Sequence, residues 1–508
     1  MASFFITTAI DYVNGMPHLG HAYEKVLADA IARWRRSRGD DVFFLTGVDE
    51  HGQKVQQSAQ KQGVEPQAFC DEMSAHFRRL CERLGTSHDR FARTTEDSHK
   101  RVVAQFLQQL HDAGDIYFEE HEGFYSVRQE QFVTEKDMVD GRWPEIFGDV
   151  VKTKEPNYFF RMSKYQDWLR TYAEEHPHWI FPSFRRNEIL GALEKPLGDL
   201  CISRPKSRLS WGIPLPFDPE YVTYVWFDAL VNYVSFSKWG QRDCRWPADV
   251  HTIGKDILVP AHGIYWTIML KALGIEQPRR FLVHGWWHLR GEKMSKTTGN
   301  VVDPLELIDR FGADAFRYYV LREMAVGQDA DFSPENFAQR YRSDLGNDFG
   351  NLVNRAISMI RRYRGGNIPS APIDPDIAAA IHETRDGVAA AMDDFETHRA
   401  LERIARLTQR ANQYVDERAP WRLAKDPALA ADLDAVLATL ADTVRVLGIL
   451  AEPFIPHTAA RIQQQLGMDK PDFRFAASVP DGRLAGQTVG EPQPLFPRIE
   501  SPEDRRAP

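Results

Sequence analysis

His18-Leu19-Gly20-His21 stands between an apolar, β-branched run at 4–9 and a long amphipathic segment at 22–36, and that junction decides the fold. Phe4-Phe5-Ile6-Thr7-Thr8 has the composition of a buried parallel strand, and Asn14-Gly15-Met16-Pro17 supplies a turn. In the segment that follows, Tyr23, Val26, Leu27, Ala30, Ile31 and Trp34 recur at three- and four-residue spacing, which predicts a helix. Glu24, Lys25, Asp29, Arg33 and Arg35 take its other face. His18 and His21 therefore fall at a helix N-terminus, where unpaired N–H groups and the helix dipole attract phosphate. Two imidazoles there can hydrogen-bond the oxygens of a triphosphate, and Gly20 leaves room for a base. Alone the motif is weak, because a pair of surface histidines at a strand-to-helix turn reads the same way.

The run Asp41-Val42-Phe43-Phe44-Leu45-Thr46 repeats the strand signal, so the start of the chain has the βαβ rhythm of a doubly wound parallel sheet with a nucleotide at the strand ends. The second strand leads into Gly47-Val48-Asp49-Glu50-His51-Gly52, whose carboxylates stand where a substrate ammonium can be held. Thr223 to Leu230 and His251 to Ile257 read as two further apolar strands ending in polar residues. A second charged element follows another apolar run: Gly291-Glu292-Lys293-Met294-Ser295-Lys296-Thr297-Thr298-Gly299-Asn300. A glycine-bounded loop of this kind can fold over a pyrophosphate and set two ammonium groups against the departing phosphates.

The two elements together, in this order, resemble the paired signatures of class I aminoacyl-tRNA synthetases. The surrounding residues resemble the methionyl-tRNA synthetase family from Phe4 to about Glu500. The resemblance implies an ATP-dependent ligase that uses MgATP, methionine and tRNA(Met). It implies catalytic roles for His18, His21, Lys293 and Lys296, with Gly20, Gly254, Asp256 and Ser295 also beside ATP. Ile10, Tyr12, Asp49, Arg204, Trp226, Leu230, Tyr233, Ile257 and His262 match positions at the family's methionine site. An aromatic pocket suits a polarizable thioether. Between Asp256 and Trp266 the chain is one residue longer than the family pattern. A one-residue shift turns a helical side chain by about 100°, so Ala261 could take the place of His262. Asn347, Asn351 and Arg355, at four-residue intervals, match anticodon-reading positions, and Trp421 matches a base-stacking aromatic.

The implied architecture is α/β followed by all-α. Residues 1–113 and 223–290 form the two halves of a Rossmann-like catalytic domain, with an inserted connective domain at 114–222. A loop and stem-contact region occupies 291–345, a helical anticodon-binding domain 346–489, and a tail 490–508. In the family the insertion often carries zinc-binding cysteines. Here Ser126 and Gln129 stand near the first pair and Trp143-Pro144 near the next, so no structural zinc is expected and Phe124, Trp143 and Phe147 are the candidates for holding the knuckle.

Composition agrees with this class. The chain has 508 residues, 43% hydrophobic and 27% charged, enough for several domains with a large core. Its four cysteines, Cys70, Cys81, Cys201 and Cys244, are scattered, which disfavours a disulfide framework or a Cys-ligated metal. The net charge of −9 speaks against non-specific coating of nucleic acid, but between Arg340 and Arg364 six arginines face two acids, a local basic surface. With no leader pattern, no membrane span and no counterpart of the family's dimerisation domain after 500, the expectation is a cytoplasmic monomer.

An aliphatic-amino-acid synthetase would need a larger insertion for hydrolytic editing. A non-catalytic RNA-binding relative would not need His18, His21, Lys293 and Lys296, and a small-molecule nucleotidyltransferase would have no use for Asn351 and Trp421.

Overall fold

The structure is a computed structural model that describes residues 2–126, 131–133, 138, 141–144, 147–293 and 301–498, without the side chains of 121, 122, 125, 131–133, 153, 154 and 293. Strands β1 (Ser3–Thr8), β2 (Asp11–Tyr12), β3 (Asp41–Asp49) and β4 (Arg90–Arg93) make one half of a parallel sheet. β5 (Ile180–Phe181), β6 (Val250–Gly254) and β7 (Phe281–His284) make the other. β1 lies at the centre, with Ile6 opposite Phe44 of β3 and Val250 of β6. Alternate residues enter different cores: Phe4, Ile6 and Phe44 join one, Phe5 and Leu45 another. Burial on both faces explains why these strands read as unbroken apolar runs.

The register breaks at the strand ends. Thr7 sits opposite Leu45, but Asp11 sits opposite Val48, so the segment joining β1 to β2 carries one residue more than the β3 stretch beside it. The surplus falls around Ala9 and Ile10 and turns their backbone at the carboxyl edge of the sheet, as a bulge does.

Helix α1 (Leu19–Ser37) leaves that edge. Its apolar stripe packs as the spacing predicts, but its other face is not in water: Glu24, Lys25 and Asp29 are all buried. They are held by ion pairs with His284, Asp11 and Arg317, so amphipathic spacing here marks polar contacts inside the protein.

The 223–230 run is not a strand. A strand ends at Thr223, and helix α2 (Val225–Ser235) begins two residues later. Its run is apolar almost throughout because nearly every residue is buried, and an all-round buried helix has no periodicity to separate it from a strand.

The insertion is built on a hairpin in which Ile116–Ser126 pairs antiparallel with Val150–Phe160. Near its tip the ring of Phe124 lies 5.2 Å from that of Trp143, and Trp143 lies 6.2 Å from Phe147. Ser126 donates to the Phe147 carbonyl (2.6 Å). Gln129 lies outside the described residues.

After the sheet, β8 (Trp287–Leu289), β9 (Glu292–Lys293) and β10 (Ala330–Phe332) form a small platform, and α3 (Ala313–Glu323) packs against α1. The rest is helical: α4 (Asn351–Arg364), α5 (Pro375–Asp393), α6 (Thr397–Arg418) and α7 (Ala430–Ala451) bury their apolar stripes together. The chain then returns to the proline-rich connection at 368–375, where Ile368 exchanges backbone bonds with Gly486 and Gln487. The tail beyond 498 lies outside the described residues.

Candidate active site

At the carboxyl edge of the sheet, between β1, β3, β6 and β7, lies a cavity of ≈ 410 Å³. Its floor is the start of α1, where His18 and His21 cap the helix for each other. The amide of Gly20 donates to His18 Nδ1 (3.1 Å), and the amide of His18 donates to His21 Nδ1 (3.0 Å). This is the reciprocal capping box, usually built from Ser or Thr with Glu, made here by two imidazoles 3.8 Å apart. Because both Nδ1 atoms accept, a neutral ring must carry its proton on Nε2, so each histidine offers an N–H donor. Glycine at 20 serves this cap first: a Cβ there would come within 3.1 Å of the His18 ring.

One wall is aromatic. Trp226, Leu230 and Tyr233 project from α2 at i, i+4 and i+7, the spacing of one helix face, and Ile10 and Tyr12 approach from the β1–β2 junction. Gly52 at φ +111° lets the Tyr12 hydroxyl pass where a Cβ would stand 2.6 Å away.

The segment Leu258–Trp266 kinks at Val259 (φ −118°, ψ 123°) and continues in wide π-type turns. It brings His262 to the cavity wall, whereas Ala261 is buried and does not line the cavity. His262 Nδ1–H donates to the Ile257 carbonyl (2.8 Å), which leaves Nε2 to accept from the Tyr233 hydroxyl (2.8 Å). Burial pulls the His262 pKa down to about 4, so the ring is neutral.

Asp49 ends β3, lines the cavity and accepts weakly from the His51 amide and the Thr94 hydroxyl. Behind it, Asp228 of α2 accepts from His51 Nδ1 (2.6 Å) and His99 Nε2 (2.7 Å). Burial by itself would raise the Asp228 pKa, but the two histidines hold it down to about 2. The pair locks the Asp49 loop to the helix carrying Trp226, an arrangement the sequence did not announce.

On the opposite side Gly254, Asp256, His284 and Gly285 line the cavity, with His284 beside Gly254 in the sheet register. Glu24 accepts from His284 Nε2 (2.9 Å).

Some expected residues lie elsewhere. Arg204 is buried against Cys201 and the Ser203 carbonyl and does not line this cavity. The backbone of Lys293 is in β9, but its side chain, Ser295 and Lys296 lie outside the described residues. Asn347 and Asn351 are exposed, and Arg355 pairs with Asp416 (2.6 Å). Asn347 falls in a π-helix (Tyr341–Gly350), so it is not in strict α phase with Asn351 and Arg355. Trp421 is 41% exposed. The cysteines are free, and among the described residues no group of three or more His, Cys, Asp or Glu is placed to hold a metal.

The site can thus take a long apolar side chain with a charged head beside a nucleotide. Residues 4–149 and 145–357 match the family model described as tRNA synthetases class I (M), and 366–507 match the anticodon binding domain of methionyl tRNA ligase. The chain is 43% identical to the methionine–tRNA ligase of Halalkalibacterium halodurans and 42% identical to that of Bacillus subtilis. Each match covers 99% of this chain and 79% of the relative. Among solved structures, Mycobacterium tuberculosis methionyl-tRNA synthetase in complex with methionyl-adenylate superposes with a TM-score of 0.93 at 40% identity, covering 98% of this chain and 100% of that one. The apo form of the same protein gives 0.85 at 37%, covering 99% of each.

Proposed function

The chain belongs to the methionyl-tRNA synthetases of class I and is a methionine–tRNA ligase, and from that premise we propose how its residues divide the reaction. The methionine carboxylate attacks the α-phosphorus of ATP and pyrophosphate leaves. The terminal ribose hydroxyl of tRNA(Met) then attacks the adenylate carbonyl and AMP leaves. The observation that carries the assignment is that a single cavity holds both the paired histidine donors and the aromatic wall.

His18 and His21 donate Nε2–H bonds to the phosphates, and Lys293 and Lys296, with Ser295, close over them. Gly20, Gly254 and Asp256 border the nucleotide. Asp49 holds the methionine ammonium, while Ile10, Tyr12, Trp226, Leu230, Tyr233, Ile257 and His262 enclose the side chain. Arg204, matched to the family's methionine site, lies over the Tyr224 ring at 5.0 Å, outside the cavity lining. The protein aligns and stabilises charge and forms no covalent intermediate. Magnesium would come with ATP and would offset the charge of its phosphates.

Asn347, Asn351, Arg355 and Trp421 read the anticodon. Residues 1–113 and 223–290 work as the catalytic domain, 114–222 as its insertion, 291–345 as the loop and stem-contact region, 346–489 as the RNA reader, and 490–508 as the tail. The chain acts as a cytoplasmic monomer, and none of its described helices is long and apolar enough to cross a membrane.

Amino-acid-dependent ATP–pyrophosphate exchange, run with each natural amino acid and repeated with Lys296→Ala, tests the assignment. Exchange with methionine alone, lost in the variant, supports both pocket and loop. Exchange with another amino acid overturns the pocket assignment.

A further inference from the structure

Two adjacent charged residues on α1, Glu24 and Lys25, are buried beside the cavity, and the roles assigned above use neither. Neighbours on a helix diverge by about 100°, and these two reach different walls.

Lys25 is 1% exposed. Its Nζ stands 2.9 Å from Asp11 Oδ2, 3.0 Å from Oδ1, and 3.3 Å from both the Thr8 hydroxyl and the Ala9 carbonyl. Those partners bracket the bulge that presents Ile10 and Tyr12. Burial disfavours the ammonium, but the carboxylates of Asp11 and Glu24 outweigh it and keep Lys25 charged.

Glu24 points the other way. His284 Nδ1 lies 2.8 Å from the Gly285 carbonyl and Nε2 lies 2.9 Å from Glu24 Oε2. The Gly285 carbonyl can only accept, so Nδ1 carries a hydrogen, and Nε2 and Glu24 Oε2 share the second hydrogen bond. Burial pulls the His284 pKa down, and Glu24 more than reverses that, raising it. Neither residue is free to wander, since each is less than a tenth exposed.

We propose that Lys25 and Glu24 are positioning residues that make α1 a two-armed brace. Lys25 fixes the segment from Thr8 to Tyr12 on the amino-acid side. Glu24 fixes His284 and, through it, the Gly254–Gly285 edge on the nucleotide side. One rigid helix thereby sets the distance between the two substrates, with His18 and His21 at its tip. The inference rests on the substrate assignment above, and its test separates the two.

Steady-state exchange kinetics on Lys25→Met and Glu24→Gln, with methionine and ATP varied in turn, read the two arms independently. Lys25→Met is expected to raise the amino-acid KM by about tenfold and leave the ATP KM within about twofold, and Glu24→Gln to do the reverse. Asp11→Asn/Lys25→Met should be no worse than Lys25→Met alone, because the pair is one interaction. Should Lys25→Met fail to fold, Asp11→Asn alone, which keeps the shape and a hydrogen bond, carries the test with a smaller shift of about threefold in the same KM. A loss of melting temperature with both KM values unchanged, or both KM values moved together by either variant, overturns the brace. If the wild type activates a different amino acid, the substrate assignment fails instead, and the split is read on that amino acid's KM.

Discussion

Arg317 and Asp29 form an ion pair at 2.7 Å with neither side chain exposed to solvent. Arg317, on α3, also donates to the carbonyls of Leu84, Pro453 and Phe454, while Asp29, on α1, accepts from Arg33 and Ser87. Arg33 in turn pairs with Glu452, which follows α7 in the helical part. Removing one member of a buried pair strands the other, at a cost of about 3–5 kcal/mol. Arg317→Met should therefore lower stability to chemical denaturant by that order, and a loss under about 1 kcal/mol would contradict it.

The same aspartate gives an acid signature. Burial alone would raise its pKa, but Arg317, then Arg33 and the Ser87 donors, hold it down to about 2 against an ordinary 3.8. A depressed carboxylate contributes stability that is full above the unfolded value and fades as pH falls through the folded one. Asp29 should thus withdraw about 2 kcal/mol between pH 4 and pH 2, measurable as the difference between wild type and Asp29→Asn across that window.

The histidine cap separates structure from catalysis. His18→Ser keeps an oxygen that can cap α1 but cannot reach a phosphate. It is expected to stay within about 1 kcal/mol of wild-type stability while losing about 10²–10³ in exchange rate. His18→Ala should lose both. Equal activity in the serine variant would remove His18 from the phosphate site.

Tyr233→Phe removes the hydroxyl hydrogen that His262 Nε2 accepts. Losing that bond in the pocket, at about 1–3 kcal/mol, should raise the methionine KM by roughly five- to 150-fold with the ATP KM unchanged. Free His262 binds a proton below 6.5 and the folded ring only near 4, so this residue withdraws stability as pH falls from 6.5 toward 4 and is silent above.

Trp421→Ala should leave methionine-dependent exchange intact and raise the KM for tRNA by the equivalent of about 1–3 kcal/mol, the worth of one stacked base. A parallel fall in exchange would make Trp421 a structural residue.

The strand-to-helix junction at His18 was legible because its chemistry and its local structure coincide: the cap that starts the helix is made by the residues that line the cavity. The wall on α2 was legible in residue type but not in secondary structure, since a helix buried on all sides carries no stripe. Glu24 and Lys25 were placed on the correct face, but periodicity records polarity and not solvent. The one hint was Asp11, an acid at the end of an apolar run, which burial obliges to find a cation. The Asp228 lock joins residues from three elements far apart in the chain, and no spacing rule reaches that far.

The chain kinks at Val259, inside Leu258–Trp266, before the turns that carry His262 to the cavity wall. A substitution placed one position early would land on Ala261, in the interior, and leave the cavity wall untouched.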